Sequence, residues 1–338
     1  MSRRVLCVRL DSAGDVLLAG PAVRAVAAAA DEVTMLVGPL GDEAAQLLPG
    51  VDQVRVWACP WVLADPPAVD ASEVRAVVAM LAGTGADEAV VFTSFHQSPL
   101  PTALLLRLAG VRRIGAISVD YPGSLLDVRH HVDDDLPESE RALSLVAACG
   151  FPRPDDGRLA VRGPLPEVGH LTGNGPYVVL HPGAAVPARR WPAPHFAETA
   201  RRLARAGRRV VVTGGPDERD LTAVVAAEHG VDLGGQTSLA ETAAVLSGAE
   251  AVVVGNTGPA HLAAAVGTPV VSLFAPVVPA ARWAPYGVPR VILGDQLAPC
   301  RDTRARSCPV AGHPCLASVS PEDVIAALNT LREAVAAA

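Results

Sequence analysis

The stretch RLDSAGDVLLAGPAVRAV, residues 9–26, decides how the chain reads. It follows the apolar run Val5-Leu6-Cys7-Val8, turns through Ser12-Ala13-Gly14-Asp15 and passes into an Ala-rich helical stretch. Strand, tight turn and helix are the usual opening of an α/β nucleotide-binding domain. The turn has one glycine where a dinucleotide fingerprint has three, and it carries two carboxylates, Asp11 and Asp15. A carboxylate at such a turn repels a pyrophosphate rather than cradling it. Each has an ordinary local reading, Asp11 as a turn-stabilising residue and Asp15 as a helix cap. The residues alone leave those roles open beside a functional one.

Outward from this turn the pattern repeats. Strand-like runs RVLCVRL, EVTMLVG, QVRVW, EAVVFTS and RRIGAI alternate with helical stretches, which predicts a parallel sheet. The stretch 151–176, FPRPDDGRLAVRGPLPEVGHLTGNGP, is rich in Pro and Gly and reads as a linker with one short strand at RLAV. A second alternation follows through YVVLHPG, RRVVVTGG, VDLGG, AVVVGN and PVVSLFAP, and a last helix opens with Ser320 as N-cap and Pro321 at its first position. The fold class read from this is α/β, two Rossmann-like domains in tandem: 1–160, 175–320, and a helix at 321–338.

Composition narrows the function. The 338 residues suit two domains of ordinary size, and with half of them apolar a large core can be buried. Net charge is −7 with no basic tract, which argues against nucleic acid as a partner. All 28 basic residues are arginine. Schiff-base enzymes, pyridoxal-phosphate enzymes and P-loop NTPases need a lysine, so those classes drop out. The start MSRRVLCVRL has too short an apolar stretch for a signal peptide. The uncharged run from Ala251 to Ala281 is broken by Gly255, Asn256, Gly258, Pro259, Gly267, Pro269, Pro276 and Pro279, so it reads as strand, loop, helix and strand rather than a membrane span. A cytoplasmic protein with at most peripheral membrane contact is expected.

Cys7, Cys59 and Cys149 read as core thiols. Cys300, Cys308 and Cys315, with His313 between the last two, lack the CxxC pair of common zinc sites and read as a reduced loop. The Asp-x-Asp in HVDDDLP, 131–137, reads as a solvated turn. No metal is expected.

In open α/β sheets ligands bind at the carboxyl ends of strands. The second domain has three distinctive ends: HPGA at 181–184, TGGP at 213–216 and NTGPAH at 256–261. The third combines a hydroxyl, Thr257, a close-approach glycine, Gly258, and a helix starting at Pro259, with His261 in the first turn. That set fits either an anion site or an ordinary strand-to-helix turn.

RLDSAGDVLLAGPAVRAV, LHPGAAVPARRWP, VTGGPDERDL, VVGNTGPAHLAAAVGTPVVSLFAP and RWAPYG, in this order and at these distances, resemble the ADP-heptose:lipopolysaccharide heptosyltransferases of glycosyltransferase family nine. The resemblance spans nearly the whole chain. It implies a GT-B fold, two Rossmann-like domains facing a central cleft, with the donor nucleotide in the C-terminal domain, the acceptor in the N-terminal one, and the last helix packing back on the first domain. It also implies a general base at Asp15, with Asp11, Ser12 and Gly14 on the acceptor side, and phosphate contact by Arg189. An acidic group, Glu218 or its neighbour Asp217, is implied to hold ribose hydroxyls. Gly235, Thr237 and Ser238 resemble the loop beneath the nucleobase, and Gly183, Asn256, Thr257, Gly258 and His261 complete the donor side. Asn256 departs from the family, which often carries Asp there. The expected activity is inverting, metal-independent transfer of a heptose or related sugar from an ADP-sugar to a hydroxyl of a glycan or small molecule, with no cofactor. A sugar-nucleotide 2-epimerase and a non-catalytic nucleotide-sugar binding protein are the rival readings.

Overall fold

The structure, a computed structural model, describes residues 2–132 and 135–337. Asp133 of the acidic run at 131–137 lies outside the described residues. The chain forms two compact units, Met1–Arg162 and Gly163–Ala338.

The first unit holds β1 (Arg4–Arg9), β2 (Glu32–Val37), β3 (Gln53–Val56), β4 (Glu88–Val91), β5 (Arg113–Ile117) and β6 (Val128–His130), in the order β3-β2-β1-β4-β5-β6. The second holds β7 (Tyr177–His181), β8 (Arg209–Val212), β9 (Val231–Asp232), β10 (Ala251–Gly255), β11 (Val270–Leu273) and β12 (Arg290–Leu293), in the order β12-β11-β10-β7-β8-β9. All the strand pairs are parallel. Counted from its own first strand, each sheet has the same order, 3-2-1-4-5-6. The order reverses between β1 and β4 in one unit and between β7 and β10 in the other, so the carboxyl ends of those four strands are the expected ligand positions.

The central strands are apolar because helices cover both faces of a parallel sheet. β7, β10 and β11 are buried along their whole length, and β1 everywhere but at Arg4. Leu6, Val8, Leu36, Leu106 and Ile114 anchor the first core; Val178, Leu180, Phe196, Val253 and Leu273 anchor the second. Sequence reading missed two strands, β6 and β12. Each is the last strand at its sheet's edge, short and only partly buried, so neither carries the long apolar run that marks a central strand. RLAV at 158–161 forms no strand.

The last helix, Pro321–Ala336, packs on the second unit's own sheet. Val324, Ala327, Leu328 and Leu331 lie in the same core cluster as the β7, β10 and β11 side chains of the second unit. Its N-cap is as expected, with Ser320 Oγ accepting from the Asp323 N–H.

Candidate active site

In the first unit the site grows from the end of β1. Arg9 closes the strand, and its side chain is only 4% exposed. An arginine there must be compensated, since an isolated charge is not tolerated in a low-dielectric interior. Three carboxylates do this. Arg9 Nη2 donates to Asp15 Oδ1 at 2.9 Å, Nε pairs with Asp11 Oδ2 at 3.0 Å, and Nη1 faces Glu138 Oε2 at 3.6 Å. Arg9 Nη2 also donates to Ser94 Oγ at 3.0 Å, just beyond β4. Gln97 locks the other side: its Nε2 donates to Asp11 Oδ1 at 2.6 Å, and its Oε1 accepts the Ser94 N–H at 3.0 Å. The segment after β2 closes over the turn, where a Cβ on Gly38 would stand 2.3 Å from the Leu10 carbonyl oxygen. Only glycine fits that approach.

Asp15 sits in the first turn of the helix Ala13–Ala27, whose N-cap is Ser12. Its Oδ2 accepts from the Ser12 hydroxyl at 2.8 Å and the Ser12 N–H at 3.3 Å. The carboxylate is thus fixed at both oxygens while its side chain stays 20% exposed to solvent. Gly14 is buried beside it. Asp11 is more than a turn residue, because its carboxylate is paired to Arg9 and Gln97. Burial is the largest influence on Asp11; with the Asp15 charge it outweighs the Arg9 attraction and raises the pKa above the ordinary value. The same holds for Glu138, pushed up by burial against the pull of Arg9 and Arg141. Burial opposes the Arg9 charge, but Asp11, Asp15 and Glu138 overcome it and hold its pKa above normal.

The second unit builds its site at β7 and β10. His181 ends β7, with Nδ1 3.0 Å from Thr213 Oγ1 beyond β8 and Nε2 3.9 Å from Glu218 Oε2. Burial lowers the His181 pKa against the opposing pull of Glu218. Glu218 folds back over this strand end, its Oε2 accepting the Gly215 N–H at 2.9 Å. A Cβ on Gly183 would stand 2.1 Å from that carboxylate, which explains the glycine in HPGA. Asp217 is exposed. Arg189 Nη1 donates to the Asn256 carbonyl at 3.3 Å, so the guanidinium lies at the end of β10, where the helix Gly258–Ala265 starts with Thr257 as N-cap. His261 is buried in that first turn. Arg190 turns aside and donates to the Ala184 carbonyl at 2.8 Å.

Three of the residues expected on the donor side have protein partners. The Asn256 side chain donates to Ala275 O and accepts from Ala275 N, both at 3.3 Å. An amide carries both a donor and an acceptor, so this strap between β10 and β11 suits Asn. Ser238 caps the helix Leu239–Ser247 in a capping box with Glu241. Thr237 pairs its hydroxyl with Thr242 at 2.9 Å.

Cys300 and Cys315 lie 4.0 Å apart in the second core, and Cys308 Sγ contacts the Val310 carbonyl. Burial first, then Cys300, pushes the Cys315 thiol up to about 12. Trp191 packs on Phe196 and donates to Val319 O. Among the described residues no helix is long and apolar enough to cross a membrane.

A sequence model of glycosyltransferase family 9 (heptosyltransferase) matches residues 96–312, well over half of the chain. The chain belongs to glycosyltransferase family 9. Lipopolysaccharide heptosyltransferase 1 of Pseudomonas aeruginosa is 37% identical over 136 residues, which cover 39% of this chain and 38% of that protein. The matched stretches span only 30% to 49% of the length of the curated relatives. The E. coli ADP-heptose lipopolysaccharide heptosyltransferase II structure superposes with a TM-score of 0.75 at 20% identity, covering 98% of both chains. E. coli heptosyltransferase WaaC, solved with ADP-2-deoxy-2-fluoro heptose, gives 0.71 at 22% identity over 97% of this chain and 99% of that one. These likenesses establish the GT-B fold. For this family 9 chain, sequence reading named Asp15, Arg189, Glu218 and the Thr257 turn as candidates; it did not name Arg9, Ser94, Gln97 or Glu138, which the structure gathers around Asp11 and Asp15. Arg9 carried a signal, a charge ending an apolar strand. Glu138 carried none, because its partner is 129 residues away.

Proposed function

We propose that this chain is an inverting glycosyltransferase that moves a heptose from an ADP-heptose donor to a hydroxyl of a glycan or small-molecule acceptor, without a metal or cofactor. The observation that carries the reading is Asp15, a carboxylate anchored at both oxygens at the strand-order reversal of a family 9 fold. An acceptor hydroxyl is a weak nucleophile until its proton is removed. Asp15 takes that proton as the oxygen bonds to the anomeric carbon, and the bond to the diphosphate breaks on the opposite face, inverting the configuration. ADP leaves with an extra negative charge. Arg189 and the helix N-terminus at Thr257, adjacent at the end of β10, are the groups assigned to that charge. Glu218, rather than Asp217, is assigned to ribose because it alone is fixed beside Gly183 and Gly215. Gly183 and Gly258 give close approach, and Ser12 and Gly14 line the acceptor side.

The donor assignment draws on the ADP-heptose named for the relatives' structures, and a lipopolysaccharide-type acceptor on the relatives' names. The test is ADP release and anomeric product analysis with ADP-heptose and heptose-deficient lipopolysaccharide, with and without EDTA. Acceptor-dependent transfer unaffected by EDTA supports the reading. Loss in EDTA restored by magnesium overturns metal independence, and turnover of the sugar nucleotide without acceptor overturns the transferase reading in favour of an epimerase.

A further inference from the structure

We propose that Glu138 is a positioning residue for Asp15: it takes a share of the Arg9 guanidinium and so leaves Asp15 able to accept a proton. The inference rests on the reading of Asp15 as the base. Glu138 opens the helix Glu138–Ala148, and its side chain is 2% exposed. Its Oε2 faces Arg9 Nη1 at 3.6 Å and Arg141 Nη1 at 3.7 Å, and its Oε1 has no hydrogen-bond partner among the described residues. A buried ion pair is often no more stabilising than apolar side chains of the same volume. Its presence therefore asks for another reason, and its neighbours supply one.

Were Asp15 the sole partner of Arg9, protonating it would strand a guanidinium in the interior, and the pair would resist proton transfer. Instead Arg9 spends Nε on Asp11, Nη1 on Glu138 and Nη2 on Asp15 and Ser94. When Asp15 takes a proton, Arg9 stays compensated by the other two carboxylates. The same two like charges also favour a proton on Asp15. The charged groups facing Glu138 are Arg9 from β1, Asp11 from the turn, Asp15 from the first helix and Arg141 from its own helix. Arg141 is tied to the Thr93 carbonyl beside β4, so it holds Glu138 against this cluster.

The experiment is carboxyl 13C NMR titration of Asp15, its resonance assigned by its loss in Asp15→Asn, in wild type, Glu138→Gln and Glu138→Asp. In Glu138→Gln, Asp15 is expected to titrate about one pH unit lower, because Arg9 then leans more fully on it. The acid limb of the kcat/KM profile for transfer should move down with it. Glu138→Asp, which keeps the charge, should leave Asp15 close to wild type. A purely structural role would alter melting temperature and leave the Asp15 titration in place, and that result overturns the proposal. Should Glu138→Gln not fold, Glu138→Met carries the same reading. Absence of transfer by wild type overturns the proposed function, whereas the titration by itself decides the role of Glu138.

Discussion

The two units share one strand order and put opposite electrostatics at its reversal point. At the β1 and β4 ends, three carboxylates surround one buried arginine. At the β7 and β10 ends stand glycines, a histidine, an arginine and a helix N-terminus, with a single carboxylate folded over Gly183. The fold sets where ligands gather, and the side chains at the strand ends set which chemistry they meet. In the proposed reading, one end handles a proton and the other receives an anion. Identical topology therefore says nothing about which half does which task.

The contrast breaks most sharply at Asp15. Asp15→Asn keeps the size but cannot take a proton at neutral pH. Turnover should fall roughly 10²–10⁴-fold while ADP affinity holds, measured by transfer kinetics and calorimetry. Near-wild-type transfer would return Asp15 to a capping role. On the other unit, Arg189→Ala should weaken ADP binding by about 1.5–3 kcal/mol, the range for hydrogen bonds to charged groups, and leave the Asp15 titration unchanged. Equal loss of affinity in Asp15→Asn would dissolve the division of labour. Gly183→Ala should push the Glu218 carboxylate aside, since the new Cβ lies 2.1 Å from it, breaking the bond to the Gly215 N–H. The expected cost is about 1 kcal/mol in denaturant melts, with weaker ADP binding beside it.

The smallest effect is pH dependence, and its sign differs between the units. The His181 pKa is lowered on folding, so the unfolded chain binds more protons. Its stabilisation is complete above the unfolded value of 6.5 and is lost as pH falls through the folded value. Glu138 and Asp11 are raised, so their contribution is present below 4.5 and 3.8 and is lost as pH rises through their folded values. Acidification from about pH 7 to about pH 5.5 should therefore loosen β7 and β8, read as faster amide exchange, by under about 1 kcal/mol. His181→Gln should remove that dependence, and an unchanged dependence would assign it to another group.

The sequence by itself determined the α/β class, the tandem architecture and the candidates Asp15, Arg189, Glu218 and Thr257. The class and the tandem architecture are legible because central parallel strands must be continuous apolar runs, whereas the roles of Asp15, Arg189 and Glu218 came from the resemblance to family nine. The edge strands β6 and β12 escaped that logic, since half-buried strands need no such run. Only the tertiary structure decided what the candidates touch. Asn256 bonds the backbone at Ala275, and Ser238 caps the helix at Leu239. Arg9 and Glu138, 129 residues apart, meet because the helix carrying Glu138 packs beside the one carrying Asp15. Local patterns record backbone conformation and burial. Which charges share an interior is set by how distant elements pack, and no spacing along the chain encodes that.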